Sequence, residues 1–272
     1  MAESGALPDK VASWLEQQGY PLEMRTARAL RERRVPVTVS HYYTDIDTGQ
    51  QRETDLYARV TRELRHSDEL GNMVDAADEV CVVIECKSAR AKPWVLFSDD
   101  KPLDAEVASL HARRSLHITT PDNRWLQQMT GFSRSYRPIS LLDGFEPVGY
   151  SLVRALGHGN DDAAYGAMMS VAKAAAGVSE QLRARSSRGR MIRRAIVFPV
   201  LLVDAPFLHC KLDASGEIQL LLIDYGTVAW NYQLGPRFPK QTLITVMNPS
   251  ALPRLVDDMR ATLGFLEDNR DV

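Results

Sequence analysis

The chain has 272 residues, 44% hydrophobic and 25% charged, with 33 basic against 35 acidic side chains and a net charge of −2. This is the composition of a globular protein long enough to bury a core without disulfide or metal staples, as one large domain or two small ones. It excludes a global electrostatic preference for nucleic acid or membrane, so any polyanion site must be a local patch. The three cysteines, Cys81, Cys86 and Cys210, are an odd set without a close pairing pattern. They are expected to be free thiols in a reducing compartment and core filler rather than ligands. The opening MAESGALPDK lacks the pattern of a secretory signal, and no run of about 18 apolar residues marks a membrane helix. The expected location is cytoplasmic.

In chain order, PDKVASWLEQQG predicts a short helix closed by Gly19, with Pro8 in its first turn and Val11, Trp14 and Leu15 on one face. YPLEMRTARALRERR predicts a second helix from about Pro21, with Leu22, Ala29 and Leu30 toward the core. VPVTVSHYY is β-branched and aromatic and predicts a strand. DIDTGQ is turn chemistry, and RETDLYARV pairs back as a hairpin. Residues 61–78 are dense in charge and are expected to loop out before a third strand over 79–87. Residues 88–158 mix short apolar pieces with proline, glycine and serine, and are expected to form an insertion with some structure of its own.

NDDAAYGAMMSVAKAAAGVSEQLRAR is the clearest helix, capped by Asn160 or Asp161 and rich in alanine. RAIVFPVLLVD, FLHCKLD, EIQLLLIDYGTVAW and TLITVMN predict four strands, with DASGE as a hairpin turn, and PSALPRLVDDMRATLGFLED predicts an amphipathic helix. The expected fold is therefore α/β: a sandwich with a central mixed sheet flanked by helices and an insertion after the third strand. No composition shift forces a second domain across 1–272.

The chemistry-bearing stretch is VCVVIECKSAR, residues 80–90. An apolar strand carries Glu85 and Lys87, although burying an unpartnered charge costs several kcal/mol. Residues i and i+2 of a strand share a face, so the two project together while Ile84 and Cys86 point the other way. If the hairpin strand pairs with this one, Asp55 sits beside Glu85. Two converging carboxylates repel unless a cation joins them. Hard carboxylate oxygens suit Mg²⁺, which accepts one or two protein carboxylates together with substrate phosphate. A lysine two residues away can hold or deprotonate a water and stabilise charge growing on phosphorus. The alternative is a salt-bridged Glu85–Lys87 pair at a strand end, with Asp55 capping a turn.

Thr54-Asp55, then Glu85-Cys86-Lys87, after a helix bearing Glu23, resembles the PD-(D/E)XK nuclease superfamily and its restriction-endonuclease-like fold. The order of helix, three-stranded meander, helix and strand is similar as well. The resemblance covers residues 20–87 by motif, and extends through 160–203 if the long helix and its following strand complete the core. It leaves 88–158 as the insertion and 204–268 as added strands and helix. It implies a stand-alone bacterial member with Asp55 and Glu85 as metal ligands, Lys87 as the catalytic lysine and Glu23 as an auxiliary acid and ligand. The implied activity is Mg²⁺-dependent hydrolysis of DNA, with Mn²⁺ as a substitute ion, leaving a 5′-phosphate and a 3′-hydroxyl, in defence against foreign DNA or in DNA processing. Threonine stands where many members have proline, and thirty positions separate Asp55 from Glu85, longer than a tight hairpin needs.

Two arginine groups supply local positive charge: Arg25, Arg28, Arg31, Arg33 and Arg34, and then Arg183, Arg185, Arg188, Arg190, Arg193 and Arg194. The arginine fork binds phosphate through two parallel hydrogen bonds, so Arg25, Arg28, Arg183, Arg185, Arg188 and Arg190 are candidate nucleic-acid contacts. Their plainer role is to complement helix C-termini. Lys173 is expected to be a solvated helix residue, with the alternative, implied by the resemblance, that it faces the site. The six histidines show no zinc spacing, and neither G-x-S-x-G nor a phosphate-binding G-x-x-x-x-G-K-[ST] occurs. The partner implied is DNA; a homo-oligomer is left open, since nucleases that cut both strands often need two sites. A regulatory protein is left open, and no membrane is involved. Two rivals stand beside this reading: a non-catalytic binding module that keeps the fold, and an RNA-directed nuclease, since DNA and RNA are told apart by groove shape and the 2′-OH.

Overall fold

The computed structural model describes residues 6–16, 19–67, 73–88, 92–99, 117–119, 141, 147–157, 163–188, 192–234 and 241–268. Two helices open the chain, α1 (Ala6–Glu16) and α2 (Tyr20–Glu32), with Gly19 as the N-cap of α2 and proline in its first turn. Proline fits there because its missing N–H has no helical partner in any case. A meander follows: β1 (Val37–Thr44), β2 (Gln51–Ser67) and β3 (Met73–Ser88). Four short strands come next: β4 (Trp94–Phe97), β5 (His117–Thr119), β6 (Val148–Gly149) and β7 (Ser151–Arg154). The long helix α3 (Ala163–Arg188) leads to β8 (Ile192–Asp204), β9 (Phe207–Leu212), β10 (Ile218–Leu222), β11 (Tyr225–Trp230) and β12 (Thr242–Met247), and α4 (Leu252–Asp268) closes the chain.

The main sheet runs β1-β2-β3-β8-β12-β11-β6, with β5 beside β8. It is mixed: β1–β2 and β2–β3 are antiparallel, while β8 runs parallel to both β3 and β12. A parallel neighbour cannot be joined by a tight turn, and α3 supplies the crossover between β3 and β8. Both faces of β3 are covered, which is why its sequence reads as a near-continuous apolar run. Val80, Val82, Ile84 and Cys86 pack with Leu30 of α2 and Leu255 of α4. Cys81 and Val83 pack on the opposite side with Val171 and Val178 of α3 and with Trp94 and Leu96 of a second sheet. That sheet has the order β10-β9-β4-β7. The three cysteines are free and buried, as core filler would be.

Three expectations are corrected. Residues 61–67 and 73–78 do not loop out. They extend β2 and β3 into one long hairpin, paired from Leu56↔Ile84 to Ser67↔Met73. Charge does not exclude a strand whose ladder is complete, and the thirty-residue spacing of Asp55 and Glu85 is simply the length of this hairpin. Second, EIQLLLIDYGTVAW is two strands in two sheets, β10 on β9 and β11 on β12. Third, the described parts of 88–158 are woven into both sheets: β4 and β7 into the second, β5 and β6 into the first. Most of that segment lies outside the described residues, as do Asn160 and Asp161. Beyond residue 203, β12 and β11 continue the main sheet and β9 and β10 join the second. Among the described residues no helix is long and apolar enough to cross a membrane.

Candidate active site

The site forms where β2 and β3 part. Their ladder ends at Leu56↔Ile84, which leaves Asp55 facing Glu85 in the next register position. Beyond that point β2 stays with β1, while β3 stays with β8 as far as Ser88↔Asp204. The backbone N–H that loses its ladder partner in this fork belongs to Cys86. It donates instead to Asp55 Oδ2 at 2.7 Å. From the other side of β2, the Thr54 hydroxyl reaches the Ile84 carbonyl at 3.5 Å. Asp55 is thus held in place by the chain it faces.

Glu85 and Lys87 share a face, as their spacing predicts, and Lys87 Nζ donates to Glu85 Oε1 at 2.7 Å. The Glu85 side chain is 9% exposed and that of Lys87 37%, so the carboxylate lies deep and the ammonium reaches the opening. Ile84 and Cys86 face the core on the other side. Glu23, in the first turn of α2, comes close enough for its charge to act on Asp55.

The electrostatics follow from crowding acids around one lysine. Burial and the neighbouring Glu85 push the Asp55 carboxyl up from 3.8 to about 7; Glu23 adds to this, while the Cys86 N–H and Lys87 oppose it. Glu23 is raised as well, by burial first and then by Glu53 and Glu85. Burial alone would lower Lys87, but Glu85 and Asp55 hold it above its ordinary value. Lys87 is therefore an ammonium at neutral pH. It can donate hydrogen bonds and stabilise anions, but it has no lone pair with which to take a proton. Tyr43, nearby in β1, is pushed up to about 12 by burial and by Asp45 and Glu85.

The donor set fits a hard divalent cation. Glu23, Asp55 and Glu85 stand beside a single ammonium; burial first, and then the charge of Glu85, holds the Asp55 carboxyl high. Asp55 Oδ1 and Glu85 Oε2 have no hydrogen-bond partner among the described residues. Among the described residues no three His, Cys, Asp or Glu side chains form a ready-made metal cage. Two carboxylates are what Mg²⁺ takes when substrate phosphate and water complete its shell.

The backbone opposite Asp55 is strained. Val39↔Leu56 and His41↔Thr54 place Ser40 across from Asp55, and Ser40 has φ +53°. The kink resets the alternation of β1. Val37 and Val39 pack toward α2 and α4, whereas Tyr43 packs toward α3 and His41 stacks on Tyr57 at 4.6 Å. A non-glycine residue in this region costs of order 1–3 kcal/mol, and such positions cluster at functional sites.

The arginines divide. Arg25 and Arg28 are exposed on α2, where Arg28 pairs with Glu32 at 2.8 Å. On α3, Arg183 pairs with Glu180 at 2.8 Å, and Arg185 lies near enough to His41 to lower its pKa after burial has done so. The side chain of Arg188 and the whole of Arg190 lie outside the described residues. Arg194 is not a surface contact. It grips Asp78 through two bonds of 2.6 and 2.8 Å between β8 and β3. Lys173 is not solvated either. It pairs with Asp47 at 2.7 Å and ties α3 to the β1–β2 turn.

Glu53 belongs to the cluster and was missed. It lies two residues before Asp55, on the same strand face by simple alternation, and its charge raises Glu23. The same rule that linked Glu85 to Lys87 would have found it. Compared with family models, with curated proteins and with solved structures, the chain finds no match in any of the three.

Proposed function

We propose that this protein is a Mg²⁺-dependent nuclease of the PD-(D/E)XK kind that hydrolyses phosphodiester bonds in DNA. The observation that carries the reading is the fork itself: Asp55 and Glu85, thirty residues apart, meet where β2 and β3 separate, with Lys87 bonded to Glu85 and Glu23 arriving from α2. A structural ion pair would account for Glu85 and Lys87. It gives no reason to bring two further carboxylates to them, with the Asp55 carboxyl pushed up to about 7 by burial and by Glu85. The element order of helix, meander, long helix and parallel strand supports the restriction-endonuclease-like assignment.

In this reading Asp55 and Glu85 would hold the Mg²⁺, with Glu23 contacting it through water, and Mn²⁺ could take its place. Such an ion would neutralise the scissile phosphate and lower the pKa of a bound water. Lys87 donates to the attacking water and orients it toward phosphorus. Because Lys87 is protonated, it stabilises the charge growing on the phosphoryl oxygens and leaves the proton to another group. Glu23, set back from the ion by a water, would be the group placed to accept that proton. The new bond is water oxygen to phosphorus; the bond to the 3′-oxygen breaks, and that oxygen takes a proton from solvent. Arg25, Arg28, Arg183 and Arg185 contribute phosphate contacts on the flanks. The partner is DNA, and a double-strand cut brings in a second copy of the chain.

The test is cleavage of plasmid DNA and of matched single-stranded DNA and RNA, in Mg²⁺ and in chelator, by the intact protein and by Asp55→Ala. Metal-dependent cutting of DNA, lost in the variant, supports the proposal. Preferential cutting of RNA transfers it to the RNA-directed rival. Binding without cutting under every metal leaves the non-catalytic module.

A further inference from the structure

A cavity of about 400 Å³ opens between the β1–β2 hairpin and the first turns of α3, lined by Arg52, Glu53, Tyr165, Gly166, Met169 and Lys173 among others. It adjoins the acidic fork: Glu53 is two residues from Asp55, about 7 Å along the strand, and its charge reaches Glu23. We propose that this cavity receives an unpaired nucleobase next to the scissile phosphate, so that the preferred substrate is single-stranded or locally unpaired nucleic acid. The proposal rests on the nuclease reading of the fork and deepens it.

Chemistry selects the base over the phosphate. The two cations of the cavity are already balanced: Arg52 by Asp45 at 2.8 Å, and Lys173 by Asp47 at 2.7 Å. A phosphate would have to displace those carboxylates and would meet Glu53 as well. An uncharged planar ring with both donors and acceptors on its edge fits what remains, which is N–H donors on Arg52 and Lys173 and the further lone pairs of the Glu53 carboxylate, which already accepts from the Tyr42 hydroxyl. Tyr165 is 41% exposed and offers an aromatic surface. Its ring stands edge-on to Trp230 at 5.7 Å, and Trp230 stacks on Tyr232 at 4.7 Å, so the platform is propped from behind. Met169 adds an apolar side. The volume lies at the small end of ligand pockets, which suits one ring system. A base inside a duplex has both faces covered by its neighbours, so only an unstacked base can lie on Tyr165.

Gly166 lines the cavity, and a Cβ added there meets nothing within 4 Å. Leucine at this position extends a side chain from the cavity wall and favours the helix over glycine. The test uses the Lys87→Ala protein in Mg²⁺, which removes the reactive lysine from the binding measurement. Fluorescence anisotropy compares a single-stranded oligonucleotide with the blunt duplex of the same sequence. Adding Tyr165→Ala or Gly166→Leu should weaken single-strand binding about tenfold, with duplex binding unchanged and the melting temperature of Gly166→Leu unchanged or raised. Equal single-strand affinity in parent and variants, equal losses on both substrates, or no binding of the single strand by the parent would each overturn the base pocket. Cleavage of both substrates by the protein with Lys87 intact is read in parallel. Cutting with no pocket effect refutes only the pocket, whereas a pocket effect without cutting refutes only the nuclease chemistry.

Discussion

Replacing Asp55 by asparagine should make the protein more stable above neutral pH while removing its proposed metal site. The carboxyl titrates at 3.8 in an unperturbed chain and at about 7 in the fold, chiefly because burial and Glu85 disfavour its charge. The folded state therefore holds this proton more tightly than the unfolded one. Stability is fully present below pH 3.8 and is lost as pH rises through about 7. The ceiling on that loss is about 4 kcal/mol at pH 8. Asp55 is only partly buried, so solvent screening brings the expected gain from asparagine to roughly 1–3 kcal/mol, or about 5 °C in melting temperature for a chain of this size. Asparagine keeps an oxygen acceptor for the Cys86 N–H and sheds the repelling charge. The assay is thermal unfolding of both proteins in chelator from pH 4 to pH 8. The variant should melt higher at pH 8, and the gap should close toward pH 4. A variant that melts at or below the parent at pH 8, or a gap that does not change with pH, would refute the electrostatic account of the fork.

Adding Mg²⁺ should raise the melting temperature of the parent by mass action and leave Asp55→Asn unmoved; equal shifts would place the ion elsewhere. Arg194→Ala leaves the Asp78 carboxylate, 1% exposed, without its bidentate partner, and should cost roughly 3–5 kcal/mol in urea unfolding. Asp78→Leu with Arg194→Met should recover most of that loss. Gly177→Ala drives a Cβ to 2.5 Å from Tyr43 Cδ2 and 2.6 Å from the Thr44 carbonyl oxygen, and should cost about 1–3 kcal/mol by overpacking α3 against β1; an unchanged melt would show that the helix can shift. Removing Arg25 or Arg185 should reduce the salt slope of DNA binding by about 0.9 each, read from titrations at several ionic strengths, without altering the melt.

What could be read from the chain was what obeys a local rule. Two charges spaced by two in an apolar strand had to share a face, and they do. Glu53 obeys the same rule, two residues before Asp55 on the same strand face. The hairpin arm is not legible as strand because charged strands with complete ladders carry the composition of a loop. The break between β10 and β11 was hidden because Leu220, Leu221 and Leu222 are exposed, so their apolar run does not mark a buried strand. The positive φ of Ser40 leaves no trace in composition, since serine gives no signal of the kind glycine does. The pairing of β3 with β8 joins segments more than a hundred residues apart, and no periodicity announces it. The arginines show the limit of charge counting: Arg194 and Arg183 stand in the same basic run, yet one is paired with a buried aspartate inside a sheet and the other lies on a helix surface.

The measurement that bears most directly on the central claim is single-turnover DNA cleavage in Mg²⁺ by the intact protein beside Lys87→Ala, with Mn²⁺ binding and thermal melting recorded on both. Lys87 donates to Glu85 and reaches the opening, but it is not a metal ligand in this account. The expected result is retained metal binding and folding with cleavage reduced by about 10²–10⁴-fold. Equal cleavage by the two proteins, or no cleavage by the intact protein under any metal, would contradict it.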